Sequence, residues 1–281
     1  EEKEKDGRKG ERRKRSIEKE TWLKHSGEAK VTKHVGGGTI LTMDDYAVGP
    51  VITGASEIGQ GSDTGIAQIV AEELGVPLRD VTVLNNDTAT GPWDVGVHAS
   101  RTTYIAGNSA KRAAIKAKEQ ILDAASHQAN VGPEDLDLRS GHVVQSKDGV
   151  AVVKLDSLLR QMHFAGEDAQ LVMATDYYEP PTEAEDENHV GDMSAAYSHA
   201  AHVAEIVVDT WTGEIKIEKF WSVQDVGRVI NLNGLEGQIE GGIAFGLGYG
   251  LSEDMKIEEG IVKNPFFRDY HVFTAPEMPP I

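Results

Sequence analysis

The 281-residue sequence contains no cysteine. Disulfides, thiolate zinc sites, a cysteine nucleophile and any iron–sulfur cluster held by this chain alone are therefore excluded. The absence fits a reducing compartment, and the cytoplasm is the expected location. Long apolar runs are missing too: none approaches the ~18 residues that a membrane-spanning helix needs. The first residues are charged, so no secretory signal is expected. Positive charge is scarce, with 28 Lys and Arg against 46 Asp and Glu and a net charge of −18. Residues 1–35 hold twelve Lys and Arg against eight Asp and Glu, which leaves +4 there and −22 on the rest. A body that acidic repels nucleic acid and anionic membrane, and neither is expected as a partner. His199 and His202 are three apart, but no third ligand follows at useful spacing and no His-Glu-x-x-His occurs, so no protein-held metal is expected.

What is present is an apolar content of 39% with 30 glycines, which suits a globular chain rich in turns. Its length allows one large or two small domains with a real core. Residues 1–35 show no sustained period, and the basic cluster Arg12-Arg13-Lys14-Arg15 is interleaved with acids. They read as a charged linker or docking arm. The folded part is expected over 36–281. Thr39 to Met43 and Val51-Ile52-Thr53 predict a hairpin, and Val81 to Leu84 a further strand. A long helix is expected from a cap at Asn108 or Ser109 to about His127. Leu136 to Val144 predicts a small hairpin, Leu155 to Met162 a short helix, and Tyr177 to Met193 an exposed acidic excursion. Val203 to Asp209 and Glu214 to Trp221 alternate apolar and polar around Thr212-Gly213, a second hairpin.

The chain is organised around Gly54-Ala55-Ser56-Glu57-Ile58-Gly59-Gln60-Gly61-Ser62-Asp63-Thr64, between a short strand and the amphipathic run Ile66 to Leu74. Gly59 and Gly61 allow positive φ and close approach of a ligand to the backbone. Ser62, Asp63 and Thr64 are all N-cap candidates, and the free N–H groups of the following helix form an anion site beside Gln60. The same residues also suit an ordinary capped helix after a flexible turn. A P-loop is excluded by the lack of lysine, and a dinucleotide fingerprint by Thr64 where a third glycine belongs. Two more stretches stand out. Asn85 to Asp94 is too long and turn-rich for a casual connection, and it leads into small and donor-bearing residues at Val97 to Thr103. Leu235 to Leu251 has six glycines in a helix-length run, at about 1 kcal/mol each relative to alanine, which predicts close packing against a ligand or another backbone.

Several stretches, in order, resemble the molybdenum-cofactor-binding subunits of the xanthine dehydrogenase and aldehyde oxidoreductase family. They are Gly59-Gln60-Gly61 with Thr64 and Gln68, Ala71 to Pro77, Asp87-Thr88 with Pro92, and Ser100-Arg101-Thr102 with Gly107. Glu236-Gly237-Gln238, Asn264-Pro265 with Arg268-Asp269-Tyr270, and Met278-Pro279 complete the set. The wording is similar to the branch that includes hydroxybenzoyl-CoA reductase and nicotinate dehydrogenase. The resemblance implies an α+β fold, the second half of the xanthine-oxidase-type molybdopterin-binding domain, with mixed sheets and packed helices. It implies a molybdopterin cofactor in its cytosine dinucleotide form, whose dithiolene holds the molybdenum without a side-chain ligand. The cofactor-binding residues carried over are Gly59, Gln60, Gly61, Ser62 and Thr64, then His98, Ala99, Ser100, Arg101 and Thr102, then Gly237 and Gln238. Gln60 and Gln238 are expected to aim their amides at one pterin, unless each merely satisfies nearby backbone.

The family's base is a glutamate in a Gly-x-Gly-Glu motif, which this sequence lacks, so no catalytic residue is assigned here and that glutamate is expected beyond Ile281. The first half of the molybdenum region, the 2Fe-2S clusters and FAD are expected on partner subunits. The implied substrate is a small aromatic, N-heterocyclic, aldehyde or acyl-CoA molecule. The expected role is thus one subunit of a molybdenum-dependent oxidoreductase, inactive alone. The alternative is a non-catalytic binding or assembly module that keeps the fold without a working site.

Overall fold

The computed structural model describes residues 36–281 except 48, 86 and 184, so the arm expected over 1–35 lies outside the described residues. The chain forms two compact units, the first ending at Tyr197 and the second spanning Ser198–Ile281.

In the first unit, β1 (Gly37–Thr42) and β2 (Gly49–Thr53) pair antiparallel, with Leu41 opposite Val51. Both side chains are fully buried, which fixes the register, because a one-residue slip would turn them to solvent. From β2 the chain passes through α1 (Ser62–Leu74) to β3 (Val81–Leu84), which lies parallel to β2, as a helical crossover permits. β7 (Met173–Tyr178) closes the other edge, giving the order β3-β2-β1-β7. Across this sheet lies α2 (Thr102–Ala129). Its buried Ala106, Ala110, Ala113, Ala117, Ile121 and Ala125 recur every three or four residues, and their small size lets the helix axis sit close. Ile66, Val70 and Leu74 of α1 join the same core.

The long helix starts at Thr102, not at Asn108 or Ser109: Thr102 and Thr103, which resemble a loop before a cap, form its first turn. The small hairpin gains a third strand, with β4 (Leu136–Arg139), β5 (His142–Gln145) and β6 (Ala151–Lys154) in order. α3 (Leu155–His163) then buries Leu155, Leu158, Leu159 and Met162 in the core. The expected acidic excursion begins inside β7, and Tyr178 and Thr182 within it are buried.

Gly75 ends α1 in the left-handed region, φ 62°, its N–H reaching the Glu72 carbonyl while that of Val76 reaches Ala71. A Cβ on Gly75 would stand 2.6 Å from the Leu138 carbonyl oxygen. Gly75→Ala is expected to lower stability by about 1–3 kcal/mol, from left-handed strain plus this clash. A lower urea midpoint at unchanged slope would report it; an unchanged midpoint would rule out the clash.

The second unit contains the predicted hairpin, β8 (His199–Val208) with β9 (Ile215–Asp225), turned at Gly213 with φ 77°. Every residue of β8 is exposed, and Phe220 alone is buried in β9. α4 (Leu232–Leu251) is capped by Asn231, whose side chain accepts from Gly234 N. Within α4, only Ile243 and Gly248 are buried. The six-glycine run is helical, yet no atom lies within 4 Å of where a Cβ would stand on Gly237, Gly241, Gly242, Gly246 or Gly250. The second unit itself therefore supplies no packing partner for those glycines. After the helix, buried Asn264 donates to the Asp254 and Asp269 carbonyls and accepts from Lys256 N, tying together the loop that carries the Asn-Pro motif. Phe220 N donates to Pro280 O, which anchors the Met-Pro segment to β9.

Candidate cofactor site

The loop between β2 and α1 is built from inside by one carboxylate. Glu57 Oε1 accepts from Gly59 N at 2.7 Å and Gly61 N at 3.0 Å; Oε2 accepts from Ser62 Oγ and Asp63 N, both at 3.2 Å. Gly61 is the N-cap residue, left-handed with φ 79°, and no capping bond comes from its side. Ser62, Asp63 and Thr64 therefore lie in the first helical turn and not at the cap; the capping acceptor comes from Glu57 upstream. Burial pushes the Glu57 carboxyl up, but the donors from Gly61, Asp63, Gly59 and Ser62 outweigh it and hold the group below the ordinary glutamate range. Nearby Asp63 is raised by burial and by the Glu57 charge, against a hydrogen bond from Asn85.

Gln60 is held within its own loop. Its Oε1 accepts from Ile58 N at 2.7 Å, and its Nε2 donates to Ser56 O and Ser62 Oγ at 3.0 Å. What faces outward is backbone: Gly59, at φ 102°, and Gly61 are exposed, and nothing lies within 4 Å of a Cβ built on either. Thr64 is exposed beside them.

The second segment precedes α2. Asp87 closes a turn, its carbonyl accepting from Gly91 N at 2.8 Å and its Oδ1 from Ala89 N at 2.8 Å. Further on, Gly96, Ala99 and Ser100 have φ of 117°, 50° and 54°. Consecutive non-glycine residues in the left-handed region are strained, and they persist only where the surroundings hold them. Arg101 does the holding. Its Nη1 lies 2.6 Å from Asp94 Oδ1 and donates to Gly96 O at 2.9 Å, and its Nη2 donates to Gly36 O at 3.1 Å. The Arg101 and Asp94 side chains are each only 1% exposed. Arg101 thus points into the fold as an internal tie, while His98 and Ser100 are exposed and Thr102 is buried in the first turn of α2.

Gly237 and Gln238 lie in the second unit near the start of α4, both exposed, and Gln238 makes no side-chain hydrogen bond among the described residues. His202 stacks edge-on against Phe220 and meets Gln224 across the hairpin. Among the described residues no group of three or more potential ligands could hold a metal ion, and no helix is long and apolar enough to cross a membrane. Two residues that matter here were missed in the sequence, Glu57 and Asp94. A glutamate just ahead of a glycine loop and a helix start is a readable capping signal; the pairing of Asp94 with Arg101 has no local signal.

The sequence matches the molybdopterin cofactor-binding domain family over residues 1–279. It is 31% identical over 250 residues to the xanthine dehydrogenase molybdenum-binding subunit of Escherichia coli O157:H7, covering 87% of this chain and 31% of that one. The large subunit of nicotine 6-hydroxylase from Paenarthrobacter nicotinovorans is 28% identical over 268 residues, covering 92% of this chain and 32% of the relative. Among solved structures, a Cu,Mo-CO dehydrogenase chain superposes with a TM-score of 0.77 at 25% identity, over 91% of this chain and 31% of that one. Quinoline 2-oxidoreductase from Pseudomonas putida 86 shares the fold, with a TM-score of 0.78 at 24% identity, over 98% of this chain and 36% of that one. The chain belongs to the molybdopterin-binding family of xanthine dehydrogenase type, and its α+β fold is that of the molybdenum-binding domains. It spans about a third of the length of the curated relatives it matches.

The residues present fit such a cofactor. Exposed backbone at Gly59 and Gly61, both at positive φ with open space in front, leaves room for a group to approach the main chain, and the left-handed Ala99–Ser100 turn leads into a helix start with no side-chain cap.

Proposed function

We propose that residues 36–281 form one wall of the molybdenum site in a multi-subunit cytoplasmic oxidoreductase, a hydroxylase, dehydrogenase or reductase. Its substrate would be a small aromatic, N-heterocyclic, aldehyde or acyl-CoA molecule. The carrying observation is the family match over residues 1–279. The open glycine loop at Gly59–Gly61 supports it. When bound, molybdopterin supplies the redox chemistry, and the protein positions and polarises. This chain's part would be to hold the cofactor: Gly59, Gln60 and Gly61 through backbone, Ser62 and Thr64 at the helix start and His98 to Thr102 at the second turn, all in the first unit; Gly237 and Gln238, in the second unit, are carried over by the resemblance alone. Ser62 and Arg101 serve from beneath, through the hydrogen bonds that shape the two loops. A cytosine dinucleotide form would place its phosphates at the start of α2, which has no side-chain cap, and against the exposed backbone of the Gly59–Gly61 loop.

The relatives' names, molybdenum-binding subunit and large subunit, support an assembly with other chains, and on this reading those chains would bring the 2Fe-2S clusters and FAD that a cysteine-free chain cannot hold alone. The exposed hairpin and the bare glycine face of α4 are surfaces that the remaining part of the molybdenum region would cover. Expressed by itself, the chain is expected to retain no molybdenum and to show no turnover with an artificial electron acceptor. Co-expressed with its partner subunits it should do both. Turnover by the isolated chain would contradict the split-site reading.

A further inference from the structure

We propose that Glu57 is a positioning residue for the molybdenum cofactor: its carboxylate stands in for an anion at the start of α1 and keeps the Gly59–Gly61 loop in the shape that meets the cofactor. The inference rests on the cofactor reading above. One carboxylate collects three N–H donors and one hydroxyl, from Gly59, Gly61, Asp63 and Ser62. Those donors span both flexible glycines and the first helical turn, so a single side chain sets the backbone on either side of Gln60.

The network extends further. Ser62 Oγ, on a buried residue, donates to Glu57 and accepts from Gln60 Nε2, and the same amide donates to Ser56 O. Removing the carboxylate would leave three N–H groups without their acceptor and take from Ser62 Oγ, which also braces Gln60, the partner it donates to. Negative charge is also favoured at this end of α1 by the helix dipole. The donors of the helix start are thereby turned inward, and the outward face of the loop is left as bare glycine backbone for the cofactor. A competing idea is that Glu57 merely occupies the place of a cofactor phosphate and leaves when the cofactor binds. The two ideas predict opposite effects of deleting the side chain.

The test uses the assembled complex carrying Glu57→Ala or Glu57→Gln, with molybdenum per chain measured by mass spectrometry of the metal and thermal melting measured alongside. Glu57→Ala is expected to lose roughly tenfold in molybdenum retention, the scale of one lost hydrogen bond to a charged group. Glu57→Gln keeps an acceptor oxygen and should retain an intermediate amount, and it provides the readout if the alanine variant fails to assemble. Assembly of Glu57→Ala in acetate, but not in chloride, should restore molybdenum, because a free carboxylate can fill the vacated nest. Wild-type or higher molybdenum in Glu57→Ala would overturn the proposal, and so would a loss that acetate cannot repair. A wild-type complex without molybdenum would instead sink the functional reading on which the proposal rests.

Discussion

Arg101→Met is expected to destabilise the first unit by about 3–5 kcal/mol, the scale found when one partner of a buried ion pair is removed. The variant strands the Asp94 carboxylate, 1% exposed, and deprives the Gly36 and Gly96 carbonyls of their donor. A buried ion pair is weak evidence of net stabilisation, because desolvation offsets much of the attraction. The test therefore needs the double variant Asp94→Leu/Arg101→Met, which should recover a substantial part of the loss. Urea unfolding of all variants, with the single Asp94→Leu to complete the cycle, gives the coupling directly. A single-variant loss below about 1 kcal/mol would mean that Arg101 is not the tie. The same substitution should release the Ala99–Ser100 turn, whose left-handed φ values need holding. Molybdenum retention should therefore fall in parallel.

The second large effect is expected for Gly61→Val, with molybdenum falling well beyond any fall in stability. Gly61 has φ 79°, and a β-branched residue is a genuine outlier there. Strain of about 1–3 kcal/mol at such a position corresponds to roughly a five- to 150-fold loss where the cofactor enforces the original backbone. The surrounding space is open, so no internal clash should prevent folding. Circular dichroism and metal analysis on the same assembled sample separate the two outcomes. A folded variant with normal molybdenum content would remove the loop from the site.

Much of the scaffold was legible because short-range physics dictates it. Alternation around Thr212-Gly213 marked the β8–β9 hairpin, and the apolar spacing from Ile66 to Leu74 marked α1, with Gly75 as its stop. The start of α2 was hidden because Thr102 and Thr103 are poor helix formers by propensity, and packing overrides that preference. β6 is a four-residue strand that reads as a continuation of the turn before it. The site was legible as segments, not as side-chain roles. Glu57 carries a capping signal in sequence but not the identity of its four donors, and Arg101 looks like a donor offered to an anion. Their true partners are set by loop shape and by Asp94, seven residues upstream, and no periodicity encodes either. Gln60 likewise satisfies its own loop here, so its contribution to a pterin would come through the backbone it braces.

A helix with five glycines carries about 1 kcal/mol of unfavourable propensity at each, and in α4 no neighbour within the second unit offsets it. A close-packed partner or ligand backbone is the natural counterpart, and Gly237 and Gln238 lie at the same end.

The most direct measurement is the molybdenum and phosphorus content of the purified wild-type complex, per copy of this chain. The account predicts about one molybdenum for each copy, with phosphorus in the ratio of a dinucleotide-extended pterin, and loss of both when Gly61 is replaced by valine. A fully assembled complex that contains neither element would contradict it.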